Sequence, residues 1–395
     1  MDNAVIVDAV RTGTGKGKPG GGLSGVHAVE LLRQTLQSLV GRTGVDPGLV
    51  EDVMIGCVSQ SGEQAACPGR IAWLGAGYPA HVPATTIDRR CGSSQQAVHF
   101  AAQSIMAGCH DVVVAGGVES MSRVPMGSAR GDADVFGPSV QDRYAPGLTS
   151  QGVAAELVAA RWGIGRDEMD AYAVESHARA AVARADGHFA KEIVSIDLMD
   201  GTGARFDADE TIREGTDAAR LAGLATVFRN DTDGARFPEI EWGVTAGNSS
   251  QLADGSSAVL VTSEKAAERL GLRPRARILS MSVIGDDPIL MLSGPIAATR
   301  MALERAGLTI DDIDAAEVNE AFASVPLAWQ RELKLPLEKL NPRGGAIALG
   351  HPLGASGTRL LTTLINHLEA TGGRYGLQAM CEGSGMANAT IVERL

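Results

Sequence analysis

The stretch GVDPGLVEDVMI at Gly44–Ile55 is matched by GLTIDDIDAAEV at Gly307–Val318, 263 residues further along the chain. Both copies contain a turn and then a strand-like run, and each follows an amphipathic helical pattern. Such a match between distant parts of one chain indicates an internal repeat. We therefore expect the fold to contain one structural unit twice.

A second matched pair extends the repeat. The helical pattern of Gln95–Ala107 and the strand-like run Asp111–Ala115 correspond to Arg359–Thr371 and Tyr375–Ala379 at an offset of 264. A nearly constant offset over two successive elements is hard to obtain by chance. It indicates that the repeated unit is itself an α/β unit.

The repeat divides the chain into three parts. Residues 1–120 with 247–272 form the predicted N-terminal half, and residues 273–395 form the C-terminal half. Residues 121–246 differ in texture, being rich in Gly, Ser and Asp in their first part. This segment is predicted to be an inserted loop domain, or lid, rather than a third core.

Short β-branched runs alternate with longer helical patterns, which is typical of the α/β class. The strand candidates are Ala4–Val7, Val53–Cys57, Val112–Ala115, Ala258–Val261, Ala276–Ser280, Ala315–Val318 and Ala389–Glu393. The helix candidates are His27–Gly41, Gln95–Ala107, Gly152–Trp162, Arg166–Asp186, Gly294–Ala306 and Thr358–Thr371.

The amino-acid composition excludes several classes of protein. The 395 residues are 44% apolar, which is enough for substantial cores. The formal net charge is −12 and basic residues form no cluster of five, so the electrostatic footprint of a nucleic-acid or membrane-surface binder is missing. The N-terminus carries no signal-peptide pattern, and no uncharged apolar run approaches the length of a membrane span. We expect a cytoplasmic protein without nucleic-acid or membrane partners.

The cysteines and glycines point to local chemistry. The 5 cysteines are widely spaced and contain no CxxC pair, which argues against a disulfide framework or a structural zinc site and favours free thiols. The 49 glycines among 395 residues are about 12% of the chain, whereas the average share of glycine is about 7%. Glycine in such excess indicates tight turns and close approach of backbone to backbone or ligand.

Two glycine turns occupy comparable points in the two copies. DRRCGSS at Asp88–Ser94 and GHPLGASG at Gly350–Gly357 each lead into a helix. If the two units face each other across a pseudo-twofold axis, Cys91 and His351 meet at their interface. The helix end would lower the pKa of the Cys91 thiol, and His351 could accept its proton. The alternative for Cys91 is a small buried hydrophobic residue.

Two further segments carry polar or thiol groups at strand ends. Cys381 lies in the glycine-rich turn Met380–Met386, where backbone N–H groups can approach a ligand oxygen. A second thiol there could move a proton to or from carbon or sulfur. Asn319 follows the strand Ala315–Val318 and could hold a water or a carbonyl. The alternative for Asn319 is an N-cap of the next helix.

Taken together, these segments resemble the thiolases, and in particular the bacterial 3-ketoacyl-CoA thiolases. The motifs that carry the resemblance are CGS at 91–93, NEAF at 319–322, GHPxGxSG at 350–357 and CxGxG at 381–385. Further matches are VDAVRT at 7–12, GGVESMS at 116–122 and TAGNSS at 245–250. The resemblance spans the whole chain.

The resemblance implies a fold and a set of roles. Two βαβαβαββ halves would form α/β/α/β/α layers, with their central helices buried together. Cys91 would be the acylated nucleophile, His351 its activator and Cys381 the general acid/base. Asn319 would hold a water that forms one oxyanion hole with His351. The backbone N–H groups of Cys91 and Gly383 would form the other.

The implied reaction is cleavage of a 3-ketoacyl-CoA by CoA to acetyl-CoA and a shortened acyl-CoA. It is a ping-pong transfer through acyl-Cys91, in which CoA is a substrate and no metal or other cofactor takes part. Thiolases are dimers or tetramers, so a homodimer or homotetramer is expected. The residues implied in binding substrate or CoA are Ser250, Arg220, Gln151, Ala246 and Phe322.

Alternative activities remain open. An acetoacetyl-CoA thiolase working in the condensation direction is the runner-up, but such thiolases usually carry a His-Met pair where this chain has Ser150-Gln151. A relative of decarboxylating ketosynthases would replace Cys381, and a non-catalytic CoA-binding protein would tolerate loss of Cys91 or His351. The C-terminal stretch is similar to actinobacterial-type thiolases, which suggests bulky or steroid-derived acyl chains as one option.

Other positions depart from the family pattern. The lid stretch Leu221–Phe228 lacks a basic residue expected at the CoA phosphates, for which Arg220 or Arg229 could substitute. The connection Arg229–Trp242 is longer than usual. Glu382 stands where an apolar residue is common, and it would either turn outward or raise the pKa of Cys381 by like-charge repulsion.

Overall fold

The structure is a computed structural model that describes residues 2–395. Its strands are β1 (Ala4–Thr12), β2 (Gly15–Lys16), β3 (Asp52–Gly56), β4 (Ala84–Ile87), β5 (Val112–Ser120), β6 (Ile193–Val194), β7 (Ile196–Asp197), β8 (Arg205–Phe206), β9 (Ala253–Ser263), β10 (Ala276–Gly285), β11 (Ala315–Val318), β12 (Tyr375–Glu382) and β13 (Met386–Arg394).

Helices alternate with these strands. They are α1 (Ala28–Thr43), α2 (Pro68–Gly75), α3 (Ser93–Met106), α4 (Gly137–Arg143), α5 (Gln151–Trp162), α6 (Arg166–Ala185), α7 (Ala218–Ala222), α8 (Asp231–Arg236), α9 (Glu264–Arg269), α10 (Gly294–Ala306), α11 (Ser324–Leu333), α12 (Ala346–Leu349) and α13 (Ser356–Thr371).

The strands of both halves join edge to edge. Among residues 2–395 they form an 11-stranded sheet whose main path is β11-β12-β13-β10-β1-β9-β5-β3-β4. The halves meet where β1 pairs antiparallel with β10, with Val5 opposite Arg277 and Ile6 opposite Ala276. Strand β9 lies between β1 and β5, so residues that follow the insertion complete the N-terminal part of the sheet.

The internal repeat is visible in the strand register. Asp52 of β3 lies opposite Val113 of β5, and Ala315 of β11 lies opposite Gly376 of β12, both pairs being parallel. Helices α3 and α13 also begin 263 residues apart. The second matched pair therefore shares the offset of 263, and the predicted 264 is wrong for it. The sequence misleads there because 264 separates the glycines that follow the two helices.

Helices α3 and α13 pack against each other in the middle of the molecule. The Thr358 N–H donates to Ser94 Oγ at 3.0 Å, and a Cβ on Gly357 would overlap the backbone of Gln95. One buried cluster joins α3, α13 and strands of both halves. Helix α1 covers the N-terminal strands on their other side, and α10 with α11 covers the C-terminal strands. This α/β architecture with duplicated halves confirms the predicted fold.

The segment between the halves packs mainly on the C-terminal half. Helices α5 and α6 share a buried cluster with the start of α11, and β6 adds to the sheet beside β1. Helices α2 and α11 were not predicted from the sequence. Pro326 hides the helical pattern of α11 in the sequence because proline usually breaks a helix. It lies in the first turn of α11, where proline is tolerated.

Bilayer-spanning helices need about 20 consecutive apolar residues. Within residues 2–395, none of the helices has both the length and the hydropathy to span a membrane.

Candidate active site

A pocket of about 350 Å³ brings the predicted catalytic side chains together. Cys91, His351 and Cys381 all line it, although they are distant in sequence and come from both halves. Of the predicted substrate-binding residues, Ser250, Gln151 and Phe322 also line this pocket. The structure thus assembles one site from segments that the sequence could only propose to converge.

Each predicted catalytic side chain lies in a turn or near the end of a strand. Cys91 lies two residues before α3. His351 lies in the turn between α12 and α13, and Cys381 lies on β12 opposite Ala387 of β13. All three side chains are nearly or fully buried. Burial on rigid elements fixes their positions before any substrate arrives.

Ser356 sets the tautomer of His351. The Ser356 hydroxyl lies 2.8 Å from the Pro352 carbonyl and must donate to it, because a carbonyl cannot donate. The same hydroxyl oxygen lies 2.6 Å from His351 Nδ1, so it accepts the Nδ1–H. Nε2 therefore carries no proton, and its lone pair can accept one. No role for Ser356 was predicted from the sequence, and its only signal there is its place in the GHPLGASG motif at 350–357.

Asn319 faces the same histidine nitrogen. It follows β11, its backbone N–H donates to the Ala379 carbonyl, and its Nδ2 lies 3.4 Å from His351 Nε2. Its Oδ1 is buried and has no hydrogen-bond partner within the described residues. Helix α11 has Ala323 at its N-cap, so the capping alternative is wrong. The Oδ1 is thus available to a ligand or a water.

The neighbouring Glu320 holds the Asn319 turn in place. Its carboxylate accepts hydrogen bonds from Tyr172 Oη at 3.0 Å, Ser176 Oγ at 2.8 Å and the Ile347 N–H at 3.0 Å. These donors belong to α6 and α12. One buried carboxylate therefore joins the asparagine turn to α6 and to α12, the short helix that precedes His351.

Burial controls the ionisation of both thiols. It raises the pKa of Cys91 well above the ordinary value, and the nearby charges of Cys381 and Glu382 raise it further. The predicted lowering by the start of α3 is therefore wrong, because removal from water outweighs the helix end. Burial and the Glu382 charge likewise raise the pKa of Cys381 to about 12, against a smaller lowering by Asn319.

His351 is neutral in this environment. Burial, with a smaller contribution from the positive charge of Arg359, lowers its pKa to about 3. The unliganded site therefore holds a neutral imidazole beside two protonated thiols. A proton leaves Cys91 only when a reaction at sulfur drives the transfer.

Glu382 lies inside the molecule. Its side chain is fully buried, so an outward orientation is excluded. Burial raises the pKa of its carboxyl to about 8, and Arg89 only partly opposes this effect. The alternative prediction, that Glu382 raises the pKa of Cys381, agrees with the causes of the Cys381 shift.

The backbone of the nucleophile turn lies against the second cysteine turn. A Cβ on Gly92 would overlap the Glu382 carboxyl, so the two turns lie in close contact. Gly383 follows Glu382 in the chain, and a Cβ on Gly383 would lie 3.4 Å from Gln151 Nε2 and 3.6 Å from the Arg90 side chain. Gly383 is thus close to the Cys91 turn, in the region where the second oxyanion hole was predicted.

Aromatic and aliphatic side chains form the rest of the pocket wall. Phe228 and Phe322 pack edge to face, with ring centroids 5.8 Å apart. The Phe228 ring fills the space that a side chain at Gly152 would need. The pocket has further apolar lining residues that were not predicted from the sequence, namely Met121, Met126, Leu252 and Leu353. Met121 and Met126 lie in the connection after β5, Leu252 lies just before β9 and Leu353 lies between α12 and α13, so the four share no sequence pattern.

Two predicted CoA contacts lie outside the pocket lining. Arg220 is exposed, donates to the Gly215 carbonyl at 3.2 Å and lies 3.9 Å from Asp217. Ala246 is exposed in the turn after β-bridged Thr245. Within residues 2–395, no group of His, Cys, Asp and Glu side chains is arranged to hold a metal ion.

Comparison with known families agrees with this geometry. Residues 4–265 match the model of the thiolase N-terminal domain, and residues 272–394 match that of the thiolase C-terminal domain. The chain belongs to the thiolase family. The resemblance inferred from the four motifs is thereby confirmed.

Individual thiolases can be compared over the full length. The chain is 48% identical over 404 residues to a steroid 3-ketoacyl-CoA thiolase of Mycobacterium tuberculosis, covering 100% of this chain and 95% of that protein. It is 45% identical over 401 residues to a 3-ketoacyl-CoA thiolase of Erwinia tasmaniensis, with 100% of both covered.

A solved thiolase structure shares the fold. The crystal structure of the Bacillus anthracis acetyl-CoA acetyltransferase superimposes with a TM-score of 0.89 at 38% identity, covering 100% of this chain and 99% of that one. This agreement extends over both halves and the inserted segment.

Proposed function

We propose that this thiolase cleaves 3-ketoacyl-CoA with CoA, giving acetyl-CoA and an acyl-CoA shortened by two carbons. The observation that carries the proposal is that two thiols and a neutral histidine line one pocket. One thiol is needed to carry the acyl group and the other to move a proton, and the family relationship supports this division of roles.

In the first half-reaction, Cys91 is the nucleophile. Its Sγ attacks the 3-keto carbon while its proton passes to His351 Nε2, which Ser356 leaves free to accept it. The bond between C2 and C3 then breaks, and its electrons form the acetyl-CoA enolate. Cys381 gives its S–H proton to the enolate carbon, and acyl-Cys91 remains.

Two sets of donors would stabilise the oxygen anions. Once His351 has accepted the proton, its Nε2–H is a donor beside the Asn319 amide, so these two groups or a water between them can face one oxygen. The backbone N–H groups of Cys91 and Gly383 are proposed for the other oxygen. Fixed donors in a buried site need no reorganisation as charge develops.

The second half-reaction reverses the proton movements. The Cys381 thiolate takes the S–H proton of incoming CoA, and the CoA sulfur attacks acyl-Cys91. The Cys91 sulfur leaves and recovers its proton from His351. Both thiols return to their starting state, so the cycle balances with CoA as the second substrate and without a metal or other cofactor.

Acyl-chain specificity rests on the pocket. Its apolar wall favours a hydrocarbon acyl group, and the relative from Mycobacterium tuberculosis is named a steroid thiolase. We propose bulky or ring-derived chains alongside linear ones. The second candidate is acetoacetyl-CoA thiolase activity in the condensation direction, which the acetyltransferase neighbour favours. Ser150-Gln151 at the pocket, in place of the His-Met pair, argues for degradation.

We also propose that Ser250, Gln151, Ala246, Phe322 and Arg220 contact substrate or CoA. Ser250, Gln151 and Phe322 are supported by their place in the pocket wall. Arg220 and Ala246 would meet only a part of CoA that extends outside it. A cytoplasmic homodimer or homotetramer is proposed from the family relationship, and light scattering on the purified protein would measure its mass.

A thiolysis assay tests the proposed function. The protein is incubated with CoA and either acetoacetyl-CoA or a series of longer 3-ketoacyl-CoAs, and the loss of ketoacyl absorbance is followed. Cleavage of longer substrates is expected. Cleavage of acetoacetyl-CoA alone would favour the second candidate, and no cleavage at any chain length would refute both.

A further inference from the structure

The long connection Arg229–Trp242 is firmly attached to the protein, although the proposed reaction gives it no role. It begins directly after Phe228, a residue of the pocket wall. The Asn230 side chain donates to the Phe228 carbonyl at 3.1 Å and accepts from the Asp233 N–H at 2.9 Å, which caps α8. Three further side chains of the connection pack against the buried cluster of α5 and α6, namely Phe237, Ile240 and Trp242. The connection is therefore a fixed element at the edge of the pocket.

The β5–α5 segment, residues 125–148, has much weaker attachments. None of its residues is buried. Met126, which lines the pocket, is 58% exposed. Side chains that remain in contact with water gain little from the hydrophobic effect. The position of this segment therefore depends on its hydrogen bonds to the rest of the protein.

Arg236, the last residue of α8, supplies these hydrogen bonds. Its guanidinium donates to the Gly147 carbonyl at 2.8 Å and to the Tyr144 carbonyl at 3.4 Å. Within residues 2–395, these are the only hydrogen bonds that join the β5–α5 segment to another part of the chain. Its other hydrogen bonds are internal, such as the one from the Gly147 N–H to the Tyr144 carbonyl.

The turn that Arg236 contacts leads directly into the pocket. Ser150 and Gln151 follow Gly147 by three and four residues, and both line the pocket. Between them and the turn lies Thr149, whose hydroxyl donates to the Ile289 carbonyl at 2.6 Å. The approach to Gln151 is thus held at two points, by Thr149 and by Arg236. Loss of the Arg236 contacts would leave one point only.

We propose that Arg236 is a positioning residue, which holds the turn Tyr144–Gly147 and thereby keeps Gln151 in the substrate-binding wall. The extra length of the connection accommodates α8, and α8 brings the arginine to this turn. A guanidinium suits the task because its planar fork offers donors to two carbonyls at once, and bonds from a charged donor are strong. The inference rests on the proposed function, in which Gln151 contacts substrate.

Hydrogen exchange and steady-state kinetics of the full-length protein test this role. In Arg236→Ala, the amides of residues 137–148 should exchange about tenfold faster, because the bonds from a charged donor are lost. KM for a 3-ketoacyl-CoA should rise by about three- to tenfold with kcat within about twofold of the parent, since Gln151 serves binding and not bond breaking. Arg236→Lys keeps a charged donor without the fork and should give intermediate values.

Arg130→Ala is the matched control. It removes another arginine at the β5–α5 segment, one that is exposed and whose side chain forms no hydrogen bond among the described residues. It should change neither exchange nor KM. A role in stability alone would speed exchange throughout α5 and α6 and leave KM unchanged.

Unchanged exchange of residues 137–148 in Arg236→Ala, or faster exchange with unchanged KM, would overturn the proposal. If the alanine variant does not fold, the lysine variant is judged by the same two criteria. A parent protein that cleaves no 3-ketoacyl-CoA would refute the proposed function instead. The Kd for CoA, measured by calorimetry in parent and variant, then replaces KM, and an equal Kd in both would overturn the role of Arg236.

Discussion

The two halves of this thiolase have equivalent strands, but the residues at equivalent positions in these strands differ in their contacts. At the offset of 263, Gly56 at the end of β3 corresponds to Asn319 after β11. A Cβ on Gly56 would overlap the Ser94 N–H and lie 2.8 Å from the Gly354 carbonyl. Asn319 instead projects an amide towards His351. The backbone at Gly56 is thus packed too tightly for a side chain, whereas the equivalent position in the other half carries the Asn319 side chain into the site.

Glu119 and Glu382, which also lie 263 residues apart, repeat this contrast. Glu119 satisfies four donors and ties the histidine turn to the N-terminal half, whereas Glu382 lies against the Cys91 turn without a partner. The duplicated fold thus places a glutamate at equivalent positions in the two halves. The two residues differ in that Glu119 has hydrogen-bond partners and Glu382 has none among the described residues. The following substitutions test these differences.

Cys91→Ser should have the largest effect. Without the thiol no acyl-enzyme forms, and kcat/KM for thiolysis should fall by at least about 10⁴-fold, as is typical when a nucleophile is removed. Intact-protein mass spectrometry after addition of acyl-CoA measures the acyl adduct. The matched control is Cys109→Ser, an exposed thiol whose loss should leave the adduct in place. An adduct that persists on another cysteine would show that Cys91 is not the nucleophile.

His351→Gln should reduce thiolysis by about 10²- to 10⁴-fold, the range typical of a lost general base. The rate of acyl-enzyme formation in rapid-quench experiments measures this step. His81→Gln changes an exposed histidine and should retain the parent rate. A rate in His351→Gln within a factor of ten of the parent would mean that another group accepts the Cys91 proton.

Glu119→Gln should destabilise the fold by about 2 to 3 kcal/mol, because buried backbone donors lose a charged acceptor. Urea denaturation measures the free energy of unfolding. Glu382→Gln removes a carboxyl without partners and should cost little or even stabilise. Equal destabilisation by the two substitutions would contradict the distinction between the glutamates.

Arg220→Ala should have the smallest effect. If Arg220 contacts a CoA phosphate, KM for CoA rises by no more than about fivefold with kcat unchanged, because an exposed ion pair contributes about 1 kcal/mol or less. Steady-state kinetics with varied CoA measure the change. Arg273→Ala, another exposed arginine, provides the baseline. Equal KM values in both variants would remove Arg220 from the CoA site.

Much of the fold was readable in the sequence because it repeats. The apolar strand runs and the helical patterns gave α10 its full bounds and placed α3 and α13 within three residues at each end. The extensions of β1 and β9 were not predicted, since their buried polar residues interrupt an apolar run. The three candidate segments that meet in the pocket could be selected from the sequence because each joins a Cys or His side chain to a glycine turn.

Other features of the site depended on surroundings that sequence does not show. The pKa of Cys91 was predicted in the wrong direction because the start of α3 was visible in the sequence while the depth of burial was not. The role of Ser356 required two measured distances to decide which group donates. The apolar pocket wall is built from loops that approach each other only in the folded chain.

The sequence by itself determined the duplicated α/β unit, the thiolase family and the reactive side chains, because these follow from local patterns and their order. The tertiary structure alone decided which of two equivalent glutamates is satisfied, which histidine nitrogen is free and whether the thiols ionise. These properties depend on desolvation and on donors from distant segments. They are fixed only when α3 and α13 pack together and bring both halves to one pocket.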